Sequence, residues 1–300
     1  MALLQDYNKL FEYTDNIKKI YLDNSIVWPT GISSTPPGPD YSEPFYVENI
    51  SNENETLNIV KGRDYSPTLT IEYSSDRTTW QTLGTTSTTA LTRTLAPGEK
   101  VYLRCSTNAW GWMSYDVKNT ISGVSKVGGN IMSLLYGDSF TGEERIFPSN
   151  SSYNFAFMFT SYQNGLISAS ELLLPANVLT EGCYCFMFSG CTSLTSAPEL
   201  PATTLADSCY SGMFNGCTSL TSAPELPATT LAFECYGSMF ANCTSLNNVT
   251  CLATSEINEN YSTYLWLSNV SSTGTFTKAA GVTWPTGADG IPEGWTVVEV

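Results

Sequence analysis

The feature that most constrains this chain is a repeat. Residues 183–208 read CYCFMFSGCTSLTSAPELPATTLADS and residues 209–234 read CYSGMFNGCTSLTSAPELPATTLAFE, identical at 21 of 26 positions. A third copy starts at Cys235 and decays after Leu246. Upstream, Phe157-Met158-Phe159 with Leu173-Leu174-Pro175-Ala176 fits a degenerate copy. The Met-Phe pairs at 158/159, 187/188, 213/214 and 239/240 are spaced 29, 26 and 26 residues apart. A coil of this length cannot bury its own apolar side, so successive coils must stack. Stacking aligns Leu194/Leu220/Leu246, Leu200/Leu226/Leu252 and Leu205/Leu231 in apolar columns. Four coils are expected, a block only roughly 15–20 Å long at the strand spacing of about 4.8 Å. Residues 121–156 and 247–300 are expected to cap its two ends.

The rest of the chain reads as mainly β. Residues 45–120 alternate in Thr68–Ser74, Thr92–Leu95 and Lys100–Arg104, as half-buried strands do, and are expected to form a β-sandwich. Within them, Ser74 to Trp80 resembles an Asp-box hairpin, with Thr78 where glycine is usual; that motif is structural. Residues 29–44 carry five prolines and read as a stiff linker. Residues 1–28 are expected to hold a short amphipathic helix over 2–12 and a hairpin turning at Asp23-Asn24-Ser25. That unit is too small to hold a core alone. It either packs on the neighbouring domain or anchors the chain to a larger assembly. The domains are thus 1–28 (anchor), 29–44 (linker), 45–120 (sandwich) and 121–300 (capped repeat domain).

Composition excludes several functions. The chain has no histidine, which removes Ser-His-Asp and Cys-His catalysis and His-ligated metals. Its net charge of -15 makes nucleic acid a poor partner. No stretch approaches the roughly 20 apolar residues of a spanning helix, so membrane insertion is not expected. Residues 1–10 lack the basic and apolar segments of a secretory signal, so the expected location is the cytosol of synthesis or a particle released by lysis. No nucleotide motif occurs, and no cofactor or metal is expected. Glu143-Glu144 are sequence neighbours rather than a facing glycosidase pair and read as a solvated loop.

Two sets of repeat residues are candidates for binding. Tyr184, Tyr210 and Tyr236 recur once per coil; they either pack in the core or form an exposed ladder able to stack on sugar rings or a partner protein. Glu199 and Glu225 recur on an expected strand face, either solvated or receiving cationic groups. The cysteines at 183/209/235 and 191/217/243 form two columns, read as buried thiols, with a disulfide or a metal site as the alternatives.

The pattern Cys-Tyr-x-x-Met-Phe-x-Gly-Cys-Thr-Ser-Leu-Thr-Ser-Ala-Pro-Glu-Leu-Pro resembles the BspA-type leucine-rich repeats of surface proteins from Bacteroides-like bacteria and their phages. The lead-in Gly128–Gly137 and the ending Gly290–Val298 are similar to that group as well, so the resemblance spans about residues 125–300. It implies a leucine-rich-repeat solenoid used in adhesion and recognition, and transfers no catalytic residue. The expectation is a non-enzymatic structural protein of a phage virion: a fibre, capsid decoration or tail-associated adhesin. It would dock on other virion proteins through residues 1–28, bind a host-surface glycan or protein, and assemble as a homo-oligomer such as a trimer. A bacterial cell-surface adhesin and a glycan-active enzyme are the alternatives.

Overall fold

The computed structural model describes residues 21–22, 25–26, 39–60, 69–86, 89–105, 120–147, 152–159 and 165–300. Residues 1–40 form one unit and residues 41–300 another. In the first, β1 (Tyr21–Leu22) and β2 (Ser25–Ile26) pair antiparallel, with Tyr21 opposite Ile26. Ser25, expected in the turn, belongs to the strand. The helix expected over 2–12 and residues 29–38 of the linker lie outside the described residues.

The second unit is mainly β. Its strands begin with β3 (Tyr46–Glu48), β4 (Glu55–Val60), β5 (Thr70–Ser74), β6 (Gln81–Thr85), β7 (Leu91–Leu95) and β8 (Lys100–Cys105). β9 (Thr120–Ser122), β10 (Lys126–Asn130), a short helix α1 (Ser133–Tyr136) and β11 (Ser168–Leu173) follow. One sheet runs β11-β10-β3-β8-β5-β6 and a second β7-β4-β9. Period-two alternation sends Leu57 and Ile59 of β4, Ile71 of β5 and Leu103 of β8 into one shared core.

The sheet does not break at the expected boundary after residue 120. β10 pairs antiparallel with β3, Val127 opposite Val47, and parallel with β11, Asn130 opposite Leu173. Ser168 of β11 then bridges in parallel to Ser196 of the repeats. One hydrogen-bond ladder therefore leads from the antiparallel strands into the repeats. Residues 41–44, expected in the linker, are built into this unit. The buried Asn130 donates its backbone N–H to the Glu43 carbonyl (2.8 Å) and its side-chain amide to the Tyr41 carbonyl (2.9 Å). A buried amide needs such acceptors, and these residues supply them.

The Ser74–Trp80 hairpin is an Asp-box in its bonding. Asp76 accepts from the N–H groups of Thr79 (2.7 Å) and Thr78 (2.8 Å) and from the Ser74 hydroxyl (3.0 Å). These bonds hold its carboxyl well below the usual range.

The repeats stack through a two-way division of backbone donors. The N–H groups of Gly182, Tyr184, Phe186, Phe188 and Gly190 bond to the carbonyls of Asp207, Cys209, Ser211, Met213 and Asn215 on the next rung, at 2.7–3.0 Å. The intervening N–H groups, from Cys183 to Cys191, bond three residues back within their own rung, at 3.0–3.2 Å. Every donor in the segment is used although no strand forms there, which meets the demand of a buried backbone. The alternation recurs over 153–159, 208–217, 234–243 and, as acceptor, 260–269. Residues 260–269 thus make a fifth rung inside the segment expected as a cap. Beside it β12 (Asn248–Cys251), β13 (Thr275–Lys278) and β14 (Thr296–Glu299) pair in parallel.

One expected leucine column is displaced. Ser222 bridges to Asn248, 26 residues on, but Leu226 bridges to Cys251, only 25 on. The third copy has dropped a residue, so buried Cys251 takes the place foreseen for Leu252, which is half-buried.

Each rung turns through left-handed residues four apart: Gly182, Phe186 and Gly190, then Ser208, Gly212 and Gly216. Glycine at 212 is also a steric requirement, because a Cβ there would lie 2.2 Å from the Phe186 ring on the rung below. Gly182 stands in the same relation to Tyr153. Gly212→Ala is expected to cost about 3 kcal/mol, combining overpacking with a left-handed alanine. Phe186→Ala in the same chain should recover part of that loss. Urea unfolding of the two single variants and the double variant measures this, and strictly additive losses would refute the contact.

Candidate functional site

The tyrosine column is core. Tyr184, Tyr210 and Tyr236 are at most 1% exposed, so they are not a binding ladder, and the sugar-stacking expectation for them is corrected. Their rings stack with centroids 5.8 and 6.2 Å apart. The column continues to Phe155 at one end (6.1 Å) and to Trp266 (6.2 Å) and Trp284 at the other. The N–H groups of Tyr184 and Phe188 bond along the stack, as ladder donors do, and their side chains lie in the core. Phe159, Phe188, Phe214 and Phe240 make a second buried column at 5.2–5.5 Å.

The cysteines are free and buried. Cys191, Cys217 and Cys243 each donate the thiol to a carbonyl of the preceding rung, of Phe159, Phe188 and Phe214, at 3.1, 3.2 and 3.0 Å. Burial pushes Cys191 and Cys243 up to about 12, so they remain neutral thiols at neutral pH. Among the described residues no three His, Cys, Asp or Glu side chains converge as a metal ion requires.

Glu199 and Glu225 are exposed and lie together. They do not sit on strands as expected, but on irregular extended segments joined to the neighbouring rungs by single bridges. The surrounding prolines explain this, since Pro198, Pro201, Pro224 and Pro227 have no N–H to give to a ladder. With Ala197 and Leu200 these residues line an open groove of about 530 Å³. The groove pairs a proline floor with two carboxylates from consecutive rungs. It can receive hydroxyl or ammonium donors along the stack direction. Its setting is acidic: residues 165–300 carry eleven Asp and Glu against one basic residue, Lys278. That lysine is engaged by Glu299 and the Val282 carbonyl.

A pocket of about 320 Å³ in the antiparallel part was not foreseen. Arg104 there bonds Glu72 and Asp138, both at 2.8 Å, and its guanidinium covers the Trp80 ring at 4.2 Å. Arg104 alternates in phase on β8 and Trp80 closes the Asp-box, but nothing in the sequence brings Asp138 to them. Glu144 is a turn residue, accepting from the N–H groups of Thr141 and Gly142, both at 2.9 Å, while Glu143 is exposed.

No family model, no curated protein and no solved structure matches this chain.

Proposed function

We propose that the protein is a non-enzymatic recognition protein of a phage particle, with residues 121–300 acting as a capped leucine-rich-repeat solenoid joined to a β-sandwich. One observation carries the recognition reading: near-identical rungs stack in parallel and repeat Glu199 as Glu225 along one open groove. A periodic outer face over an inert, aromatic-filled interior is suited to contact with a repeating or extended ligand. The groove supplies carboxylates and apolar proline rings, which fit a host-surface glycan or protein offering hydroxyl or amino groups. The virion location rests on the repeat's resemblance to phage and bacterial surface proteins, and the anchoring role of residues 1–28 on sequence alone. A homo-oligomer is part of the same proposal.

The test is binding of the purified chain to host cells and to arrayed host glycans. Glu199→Gln with Glu225→Gln should weaken binding about tenfold, or about 1.4 kcal/mol, with added salt weakening the wild type further. Unchanged binding by the double variant would remove the groove from the reading. Release of sugar fragments during the assay would replace it with a glycan-active enzyme. Antibody labelling of negatively stained particles tests the location; label confined to a bacterial envelope fraction would favour a cell-surface adhesin.

A further inference from the structure

The largest exposed aromatic side chains of the stack are gathered at one place. Phe233 is 46% exposed, Tyr261 63% and Tyr264 46%. Their rings meet nearly at right angles: Phe233 and Tyr261 at 76° with centroids 6.1 Å apart, Tyr261 and Tyr264 at 85° and 6.0 Å. Tyr261 is shared by both pairs. A ring standing upright on the face of another leaves a concave corner on its side, bounded by two π faces.

The corner arises where the repeat departs from its pattern. Phe233 holds the position of Glu181 and Asp207 on earlier rungs, as the carbonyl that receives the next N–H of the ladder. The fifth rung has one additional residue: Cys209 and Cys235 are 26 apart, while their equivalent Ser262 lies 27 beyond Cys235. Asn260 is left-handed (φ 50°), unlike its equivalents Asp207 and Phe233, while Tyr261 (57°) keeps the left-handed position that Gly182, Ser208 and Glu234 hold on earlier rungs. Left-handed backbone disfavours a bulky aromatic residue. The rung nevertheless places Tyr261 there and turns it to solvent, where burial gives nothing back.

The surroundings define the ligand. Glu256 and Glu259 are exposed on the same turn, and Glu256 accepts from the Asn260 side chain at 3.4 Å. A flat sugar stacks on one broad face, whereas a corner of perpendicular faces fits a compact, rounded group. A cation is favoured by the ring quadrupoles and by the carboxylates together. A primary ammonium is strongly hydrated and loses more on leaving water. We propose that Phe233, Tyr261 and Tyr264 form a binding corner for a quaternary ammonium group that carries no adjoining anion, choline being the simplest case. This site shares no residue with the Glu199/Glu225 groove, and either can fail without the other.

The experiment titrates the full chain at constant ionic strength with choline, with its neutral isostere 3,3-dimethyl-1-butanol, and with phosphocholine. Saturation-transfer NMR reads the methyl protons of each. Choline is expected to bind in the millimolar range, with the isostere and phosphocholine each at least fivefold weaker. Tyr261→Leu should weaken choline at least fivefold, while Tyr261→Phe, which keeps the ring face, should stay within twofold. Circular dichroism confirms that each variant is folded. The Glu199→Gln/Glu225→Gln chain should bind choline as the wild type does. Equal binding of choline and the isostere, tighter binding of phosphocholine, retention of choline by the leucine variant, or no choline signal at all would each overturn the proposal.

Discussion

Raising the pH from 9 to about 10.5 in reducing buffer is expected to unfold the protein cooperatively. The cause is the buried thiols. Burial pushes Cys191, Cys235, Cys243 and Cys251 up to about 12, and Cys105, Cys183, Cys209 and Cys217 higher still. In the unfolded chain a thiol ionises near about 8.5. The folded pKa is the higher one, so the stabilisation is whole below the unfolded value and is lost as pH climbs towards the folded value. At pH 10 each thiol withdraws about 2 kcal/mol, and the eight together withdraw well over about 10 kcal/mol. That is comparable to the entire stability of a typical domain, about 5–15 kcal/mol. Tyr184, Tyr210 and Tyr236, also raised by burial, add to the effect. Tryptophan fluorescence and far-ultraviolet dichroism against pH would follow the transition. A native spectrum persisting at pH 11 would show that the thiols are not held neutral by the fold.

The second large effect is expected from Tyr210→Ala. The ring is fully enclosed between Tyr184 and Tyr236, and its removal interrupts the column at its centre. Deleting a buried aromatic side chain costs about 3–5 kcal/mol. Because each rung is stabilised mainly by its neighbours, the damage should spread to the coils on either side. Hydrogen exchange should therefore accelerate across the ladder donors from Gly182 to Asn242. Tyr184→Phe makes the contrast. Among the described residues the buried Tyr184 hydroxyl has no hydrogen-bond partner, so losing it should stabilise the fold by about 1 kcal/mol. Urea denaturation compares the two; a loss under about 1 kcal/mol for Tyr210→Ala would show that the column is not what holds the rungs.

The stacking of the repeats was legible because near-identity over 26 residues leaves few other ways to bury the same side chains. The fifth rung was not, and the reason is local. By its backbone Trp266 occupies the methionine position, since its carbonyl receives the Phe240 N–H as that of Met239 receives the Phe214 N–H. Its indole nevertheless fills the tyrosine column, where the smaller Thr263 stands in place of Tyr236. A compensating exchange between neighbouring positions erases a motif while keeping its volume. The exposure of the tyrosines was likewise undecided by spacing, because in this turn conformation neither a period of two nor a helical period assigns faces. Glu199 and Glu225 were legible as a recurring pair, but their groove depends on prolines that keep the segment off the ladder. The corner at Tyr261 was not legible, because Tyr261 and Tyr264 stand where the preceding rung carries Glu234 and Gly237, an equivalence visible only once Cys235 and Ser262 are aligned by their bonds.

The ladder also has a polarity. Each rung points its N–H groups towards the next, and the fifth presents its donors to the segment 284–291 rather than to another copy of the repeat. There Leu265 N–H meets the Asp289 carboxylate at 2.6 Å and Leu267 N–H reaches the Ala288 carbonyl at 3.4 Å. One end of the pile is thus electrically a terminus that invites continuation, and an aspartate occupies the vacancy a further coil would have filled. Such a stopper separates a finished object from a growing filament, and it leaves the number of internal copies free to change while the closure stays the same.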